Sequence, residues 1–214
     1  MLFRRGKVRK HKEKIFCIGR NKTGTTSLES VLGEFGYKLG DQIEGEMLVK
    51  AYANKDWGEI TNFCESAEAF QDAPFSWPYT WLFLYNAYPK AKFILTIRDT
   101  ESWYESITRF HSKIFANGER IPNKEDLLNA NYRYEGFVWE TSRAVWKTPE
   151  NDVYNKEMFI RNYIRHNEDV IHFFKDNSNF LCIDVTKKGS YKELADFLNK
   201  KMLHQEFPHL NKTQ

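Results

Sequence analysis

The chain has 214 residues, 41% of them apolar and including 17 Phe, 11 Tyr and 6 Trp, which is material for one sizeable core. Charged residues make up 29%, and no apolar run approaches the roughly 18 residues of a spanning helix; both argue against a membrane-spanning protein and make a cytoplasmic one the expectation. Three widely spaced cysteines, Cys17, Cys64 and Cys182, with no C-x-x-C pair, exclude a disulfide framework and a cysteine-rich zinc site.

The net charge of +3 is unevenly spread. Residues 1–14 carry seven Lys/Arg against one Glu, so the rest of the chain is net acidic. We read residues 1–13 as a solvated basic leader. Its alternative use, on nucleic acid or an anionic surface, finds no nucleic-acid motif in the remainder to support it.

From Lys14 onward the pattern alternates between strand and helix. "KIFCIG" (Lys14–Gly19) is a short apolar run closed by glycine, as in a buried parallel strand. Leu28, Val31, Leu32 and Phe35 then recur at helical spacing, with Gly36 as the stop. A second strand is expected within Ala67–Pro74 and a helix over Tyr79–Pro89, with Trp81, Leu82, Leu84 and Tyr85 on its apolar side. Ala91–Asp99 is the clearest strand. The helix after it takes Thr100 as N-cap and turns Trp103, Ile107 and Ile114 inward. Residues 117–155 read as irregular and rich in aromatics and Asn, with weak helical stretches, Lys156–Asp176 as a long amphipathic helix, Asn179–Val185 as the last strand and Tyr191–Lys201 as the closing helix. The expected fold is therefore α/β, with residues 14–214 as a single domain whose central parallel sheet is flanked by helices.

The chemistry concentrates in "CIGRNKTGTTS" (Cys17–Ser27). Gly19 and Gly24 have the separation of the nucleotide-binding pattern G-x-x-x-x-G-K-[ST], yet Thr25 stands where that pattern has lysine. The lysine present, Lys22, comes two places before Gly24. A glycine turn feeding a helix N-terminus binds an anion through its amides, and Thr25, Thr26 and Ser27 add three hydroxyls. Without lysine after the glycine, the usual grip on a γ-phosphate is missing. Lys22 instead puts an ammonium at the mouth of the loop.

"GRNKTGTTSL" resembles the 5′-phosphosulfate loop of the sulfotransferases that use 3′-phosphoadenosine 5′-phosphosulfate (PAPS). "KFILTIRDTESWYESI" resembles their second signature, in which a strand-end arginine and a helix serine hold the 3′-phosphate. Further similarity to a bacterial-type subfamily runs through "QDAPFSWPYTWLFLYNAYP", "IRNYIRHNEDVIHFF" and the C-terminal "EFPHLN". The resemblance implies a three-layer P-loop-like fold and metal-independent transfer of a sulfuryl group from PAPS, with release of the bisphosphate PAP. It implies that Lys22, Thr23, Gly24, Thr25, Thr26 and Ser27 hold the 5′-phosphate, that Lys22 also stabilises the leaving oxygen, and that Arg98 and Ser106 clamp the 3′-phosphate. Lys188 and Gly189, in "TKKGSYK", resemble the basic glycine loop that closes over the 3′-phosphate in cytosolic relatives.

A hydroxyl acceptor needs a general base. Asp72 is the first candidate, at the carboxyl end of an expected strand; His111 is the second. Glu44 and Glu46, in the loop expected after the first helix, stay open, and His166 reads as structural. The acceptor, a small molecule or saccharide, is expected to lie against the aromatic stretch from Phe110 to Tyr163, which reads as a mobile cover. The alternative activity is an ATP-dependent small-molecule kinase with a degenerate P-loop, for which Asp184 is the weak candidate magnesium ligand.

Overall fold

The computed structural model describes residues 13–208; the leader before Glu13 and the last six residues lie outside that range. Four strands, β1 (Ile15–Cys17), β2 (Ala69–Phe70), β3 (Lys92–Thr96) and β4 (Phe180–Ile183), form one sheet in the order β2-β1-β3-β4. All pairings are parallel, with Phe16 opposite both Phe70 and Phe93, and Phe93 opposite Phe180. Parallel pairing sends every strand's carboxyl end to one edge of the sheet. The connection from β1 runs to one side and β3 lies on the other, so a crevice opens between them where α/β proteins bind ligands.

The strands alternate sides as the pleat requires. Ile15, Cys17, Ile94 and Ile183 face Leu28, Val31 and Leu32 of α1 (Thr25–Glu34) and Tyr191 and Leu194 of α10 (Ser190–Phe197). Phe16, Ile18, Phe93 and Leu95 face Trp81 and Leu84 of α5 (Thr80–Ala87) and Val170 and Phe174 at the end of α9 (Lys156–Phe173). This is a three-layer α/β architecture of the P-loop-like kind: the alternating pattern implied the parallel sheet and its flanking helices, and the resemblance implied the P-loop-like kind. The three cysteines are free, and burial pushes the Cys17 and Cys64 thiols up.

Four expectations change. Between α1 and β2 the chain forms α2 (Gln42–Met47), α3 (Val49–Asn54) and α4 (Trp57–Cys64), so Glu44 and Glu46 sit on a helix, not in a loop. Residues 117–155 contain α7 (Lys124–Asn129) and α8 (Phe137–Val145), and their rings build a third buried cluster with Trp103, Phe159 and Tyr163. In α6 (Thr100–Phe115) the cap is Asp99, whose carboxylate accepts from Ser102 N at 2.9 Å. Trp103 and Ile107 of this helix are fully buried, but Ile114 is exposed. The β2 segment pairs over two residues because Asp72 already turns the chain with φ 57°. Among the described residues, no helix is long and apolar enough to cross a membrane.

Candidate active site

A cavity of about 690 Å³ opens along the carboxyl edge of the sheet. The loop after β1 forms one wall. At Gly19 an added Cβ would stand 2.2 Å from Thr96 Oγ1 and 2.5 Å from the Thr96 carbonyl, so only glycine lets the loop leave across β3. The hydroxyl of Thr23 donates to the Arg20 carbonyl at 2.5 Å and pairs with Thr96 Oγ1 at 2.6 Å. Its side chain thereby pins the loop, leaving its backbone for the cavity.

Gly24, at φ 93°, is the N-cap of α1; no side chain caps this helix and its first turn holds no acidic residue. An uncapped helix N-terminus lined by hydroxyls is a ready anion site. Thr25 and Thr26 line the cavity beside it. Ser27 also lines the cavity, but its hydroxyl donates to the Pro208 carbonyl at 2.7 Å, so the C-terminal segment lies against the loop. Lys22 is held at φ 66°, with Nζ 3.8 Å from the centroid of the Phe110 ring. Partial burial, with Arg98 nearby, holds its ammonium below the ordinary lysine range, while Asp72 acts to raise it.

Arg98 and Ser106 also line the cavity, with Arg109, which is one turn beyond Ser106 on α6. Asp99 caps the helix and does not pair with Arg98, whose exposed side chain faces the cavity. The Arg98 backbone is fixed at both ends of its peptide. Its N–H donates to the Tyr163 hydroxyl at 2.8 Å, and that hydroxyl donates to the Arg98 carbonyl at 2.9 Å. Tyr163 stacks on Trp103 (centroids 4.2 Å apart, planes at 11°), and Trp103 Nε1 donates to the Asn21 carbonyl at 2.9 Å. One stacked pair thus ties the loop to the strand-end arginine. His166 plays a similar structural part, donating from Nε2 to the Ile18 carbonyl at 2.8 Å, and burial lowers its pKa to about 3.

Both base candidates border the cavity. Asp72 is raised to about 6, first by burial and then by Glu46; Gln42 Nε2 donates to its Oδ2 at 3.4 Å. Glu46 also lines the cavity, but it is committed to Arg133, with Nε to Oε2 at 2.6 Å. Glu44 is exposed on α2 and is not in the wall. His111 pairs through Nδ1 with the Tyr154 hydroxyl at 2.7 Å, and burial, with Lys22 secondary, lowers it to about 4. Asp184 accepts from both the N–H and the hydroxyl of Thr186, at 2.9 and 2.7 Å, which is a turn-capping role. Lys188 is exposed and Gly189 (φ 90°) caps α10; neither reaches the cavity, whose wall on this side ends at Thr186.

The sequence pattern hid four contributors. Arg20 lies inside the glycine loop itself, Trp103 looked like an ordinary core residue until its indole N–H found Asn21, and Phe207 and Pro208 come from the distant C-terminal segment. Much of the remaining wall is aromatic and aliphatic, including Phe137, Val145, Trp146 and Phe159, with Thr141 and Ser142 among them. Chemically, the wall combines an anion cradle, a second cationic clamp, a carboxylate of raised pKa and a stretch of packed rings. The family model described as a sulfotransferase domain matches residues 14–214. No curated protein matches the chain.

Proposed function

The chain belongs to the sulfotransferase family, and we propose that it transfers a sulfuryl group from PAPS to a hydroxyl or amine of a small-molecule or saccharide acceptor, without a metal ion. The observation that carries this reading is one cavity bordered by the uncapped, lysine-bearing loop and by Arg98 and Ser106. The donor set suits a ligand with a phosphate at each end: amides and hydroxyls of Gly24, Thr25 and Thr26 for one, a guanidinium and a hydroxyl for the other. PAPS supplies the sulfuryl group and leaves as PAP.

The protein's share is positioning and electrostatics. Lys22 stabilises the negative charge that grows on the 5′-phosphate oxygen as its bond to sulfur breaks. To serve there, Nζ swings from the Phe110 ring towards the α1 N-terminus, a side-chain rotation within the same loop. Asp72 takes the proton of the attacking hydroxyl as the new oxygen–sulfur bond forms, and a pKa of about 6 leaves it ionised at neutral pH yet basic enough to help. Trp103 and Tyr163 are positioning residues that keep the two phosphate clamps in register.

The test is transfer of sulfur label from PAPS to a panel of carbohydrate, phenol and lipid acceptors, with and without a chelator. Label is expected in at least one acceptor class at a rate that the chelator does not change. A folded enzyme that labels none of them, or that needs magnesium, contradicts the reading.

A further inference from the structure

Arg20 is 2% exposed and lines the cavity, although the donor-binding reading gives it no task. Its one hydrogen bond among the described residues runs from Nη1 to the Ser76 carbonyl at 3.0 Å. Its guanidinium carbon lies 4.9 Å from the centroid of the Trp146 ring. Its Nε is buried and has no partner. The titratable groups acting on it are the hydroxyls of Tyr52, Tyr79 and Tyr163, with no carboxylate among them, and even with burial lowering its pKa to about 10 it stays a cation at neutral pH.

A buried, ionised side chain without a counter-charge is destabilising, and a guanidinium offers five N–H donors in a fork suited to a planar or tetrahedral oxyanion. The phosphates of the donor are not that anion. Lys22 shares its surroundings with Asp72 and Arg98, whereas the Arg20 side chain is held by the Ser76 carbonyl and lies against the Trp146 ring. The two cations therefore serve different ends of the cavity, and Arg20 belongs to the chamber walled by Trp77, Phe137, Val145, Trp146 and Phe159.

We propose that the acceptor is an amphipathic anion: an apolar or aromatic body that fills this chamber, carrying a carboxylate, sulfate or sulfonate that pairs with Arg20 while its nucleophilic group faces Asp72 and Lys22. The aromatic walls recognise the body without discriminating strongly, and the single buried cation selects for charge. Specificity of this kind is large because a neutral analogue leaves the guanidinium desolvated and unpaired.

The probe is a matched pair of dyes, 8-anilinonaphthalene-1-sulfonate and N-phenyl-1-naphthylamine, which differ by the sulfonate alone. Both are titrated by fluorescence into the PAP-loaded enzyme, so that the phosphate clamps are occupied. The sulfonate is expected to bind about tenfold or more tightly than the neutral dye, as a charge-assisted contact implies. Arg20→Gln should bring the two affinities to within about threefold by weakening the sulfonate alone, and Arg20→Lys should keep part of the preference. Should the glutamine variant not fold, Arg20→Met replaces it, since an apolar side chain removes the buried charge. Equal binding of the two dyes, no saturable binding of either, or a preference that survives in Arg20→Gln overturns the proposal, as does loss of PAP binding in that variant. It rests on the sulfuryl-transfer reading, and the two failures are separable: unaltered enzyme that does not bind PAP loses the donor, whereas PAP-binding enzyme without a dye preference loses only the anion site.

Discussion

At one end of the cavity the chain presents hydroxyls, an uncapped helix N-terminus, Lys22 and Arg98, on the turns that leave the carboxyl edge of the sheet and the first turn of α1. At the other end it presents rings from α6, α8 and α9, with Arg20 as a buried cation among them. The first end is built by backbone geometry. Gly19 and Gly24 hold positions where a Cβ would collide with Thr96 or Val185, and Lys22 and Gly24 adopt positive φ. The second end is built by packing, through stacks such as Trp146 on Phe159 with centroids 4.3 Å apart. The contrast teaches a division of labour: strained turns fix backbone amides and short polar side chains in place, while packed rings form an apolar chamber.

If that division holds, the deepest loss follows removal of the loop lysine. Lys22→Ala should lower kcat about 10³-fold, the scale of a lost transition-state charge contact, a larger effect than its loss of PAP affinity, while the melting temperature stays near that of the unaltered enzyme. A loss confined to acceptor KM would contradict the role assigned to the loop.

Asp72→Asn comes next, with kcat/KM falling about 10²- to 10⁴-fold. Asparagine tolerates the left-handed backbone at this position, so the fold is retained. The pH profile carries the sign. In the free enzyme, rate should fall as pH drops through about 6 because the base becomes protonated. An acid limb near 4 would assign the base to His111 instead. Stability moves oppositely: a carboxyl raised by folding destabilises the native state above its unfolded pKa. The asparagine variant should therefore be more stable at pH 7 by about 1–3 kcal/mol, a gain that vanishes below pH 4; denaturant titrations at the two pH values check it.

Arg98→Ala should weaken PAP by about 10- to 100-fold while changing adenosine 5′-phosphate little, since a charge-assisted contact is worth about 1.5–3 kcal/mol. Calorimetry on the two nucleotides decides it, and equal losses would move Arg98 away from the 3′-phosphate. At the aromatic end, Val138→Ala enlarges the chamber; it should cost about 1 kcal/mol of stability and shift acceptor KM, with PAP affinity unchanged. A matching loss of PAP affinity would mean that the two ends are not independent.

The same division explains what the sequence disclosed. The loop was legible because its chemistry needs particular residues at fixed spacing: glycine where the backbone must turn left-handed, hydroxyls in the first helical turn, arginine at the end of an apolar strand. The sheet was legible from its apolar runs. The aromatic end was less so, because Phe, Trp and Tyr at helical spacing read the same whether they line a chamber or fill a core, so α7 and α8 showed only as weak helical stretches in irregular chain. Asp99 took the cap expected of Thr100 because either residue type serves and only the turn geometry chooses. Arg20 was hidden in plain view: its burial depends on Ser76 and Trp146, which are distant in sequence and meet it only in the fold.

The most direct test of the central claim is a thermal melt of the enzyme in EDTA with saturating PAP, set beside one with ATP and magnesium. A ligand present at about 100 times its Kd stabilises the native state by about 2.7 kcal/mol, a shift of several degrees for a chain of this size. PAP without metal is expected to give that shift and ATP with magnesium to give much less. A shift with ATP and magnesium and none with PAP would contradict a cavity built to hold PAPS.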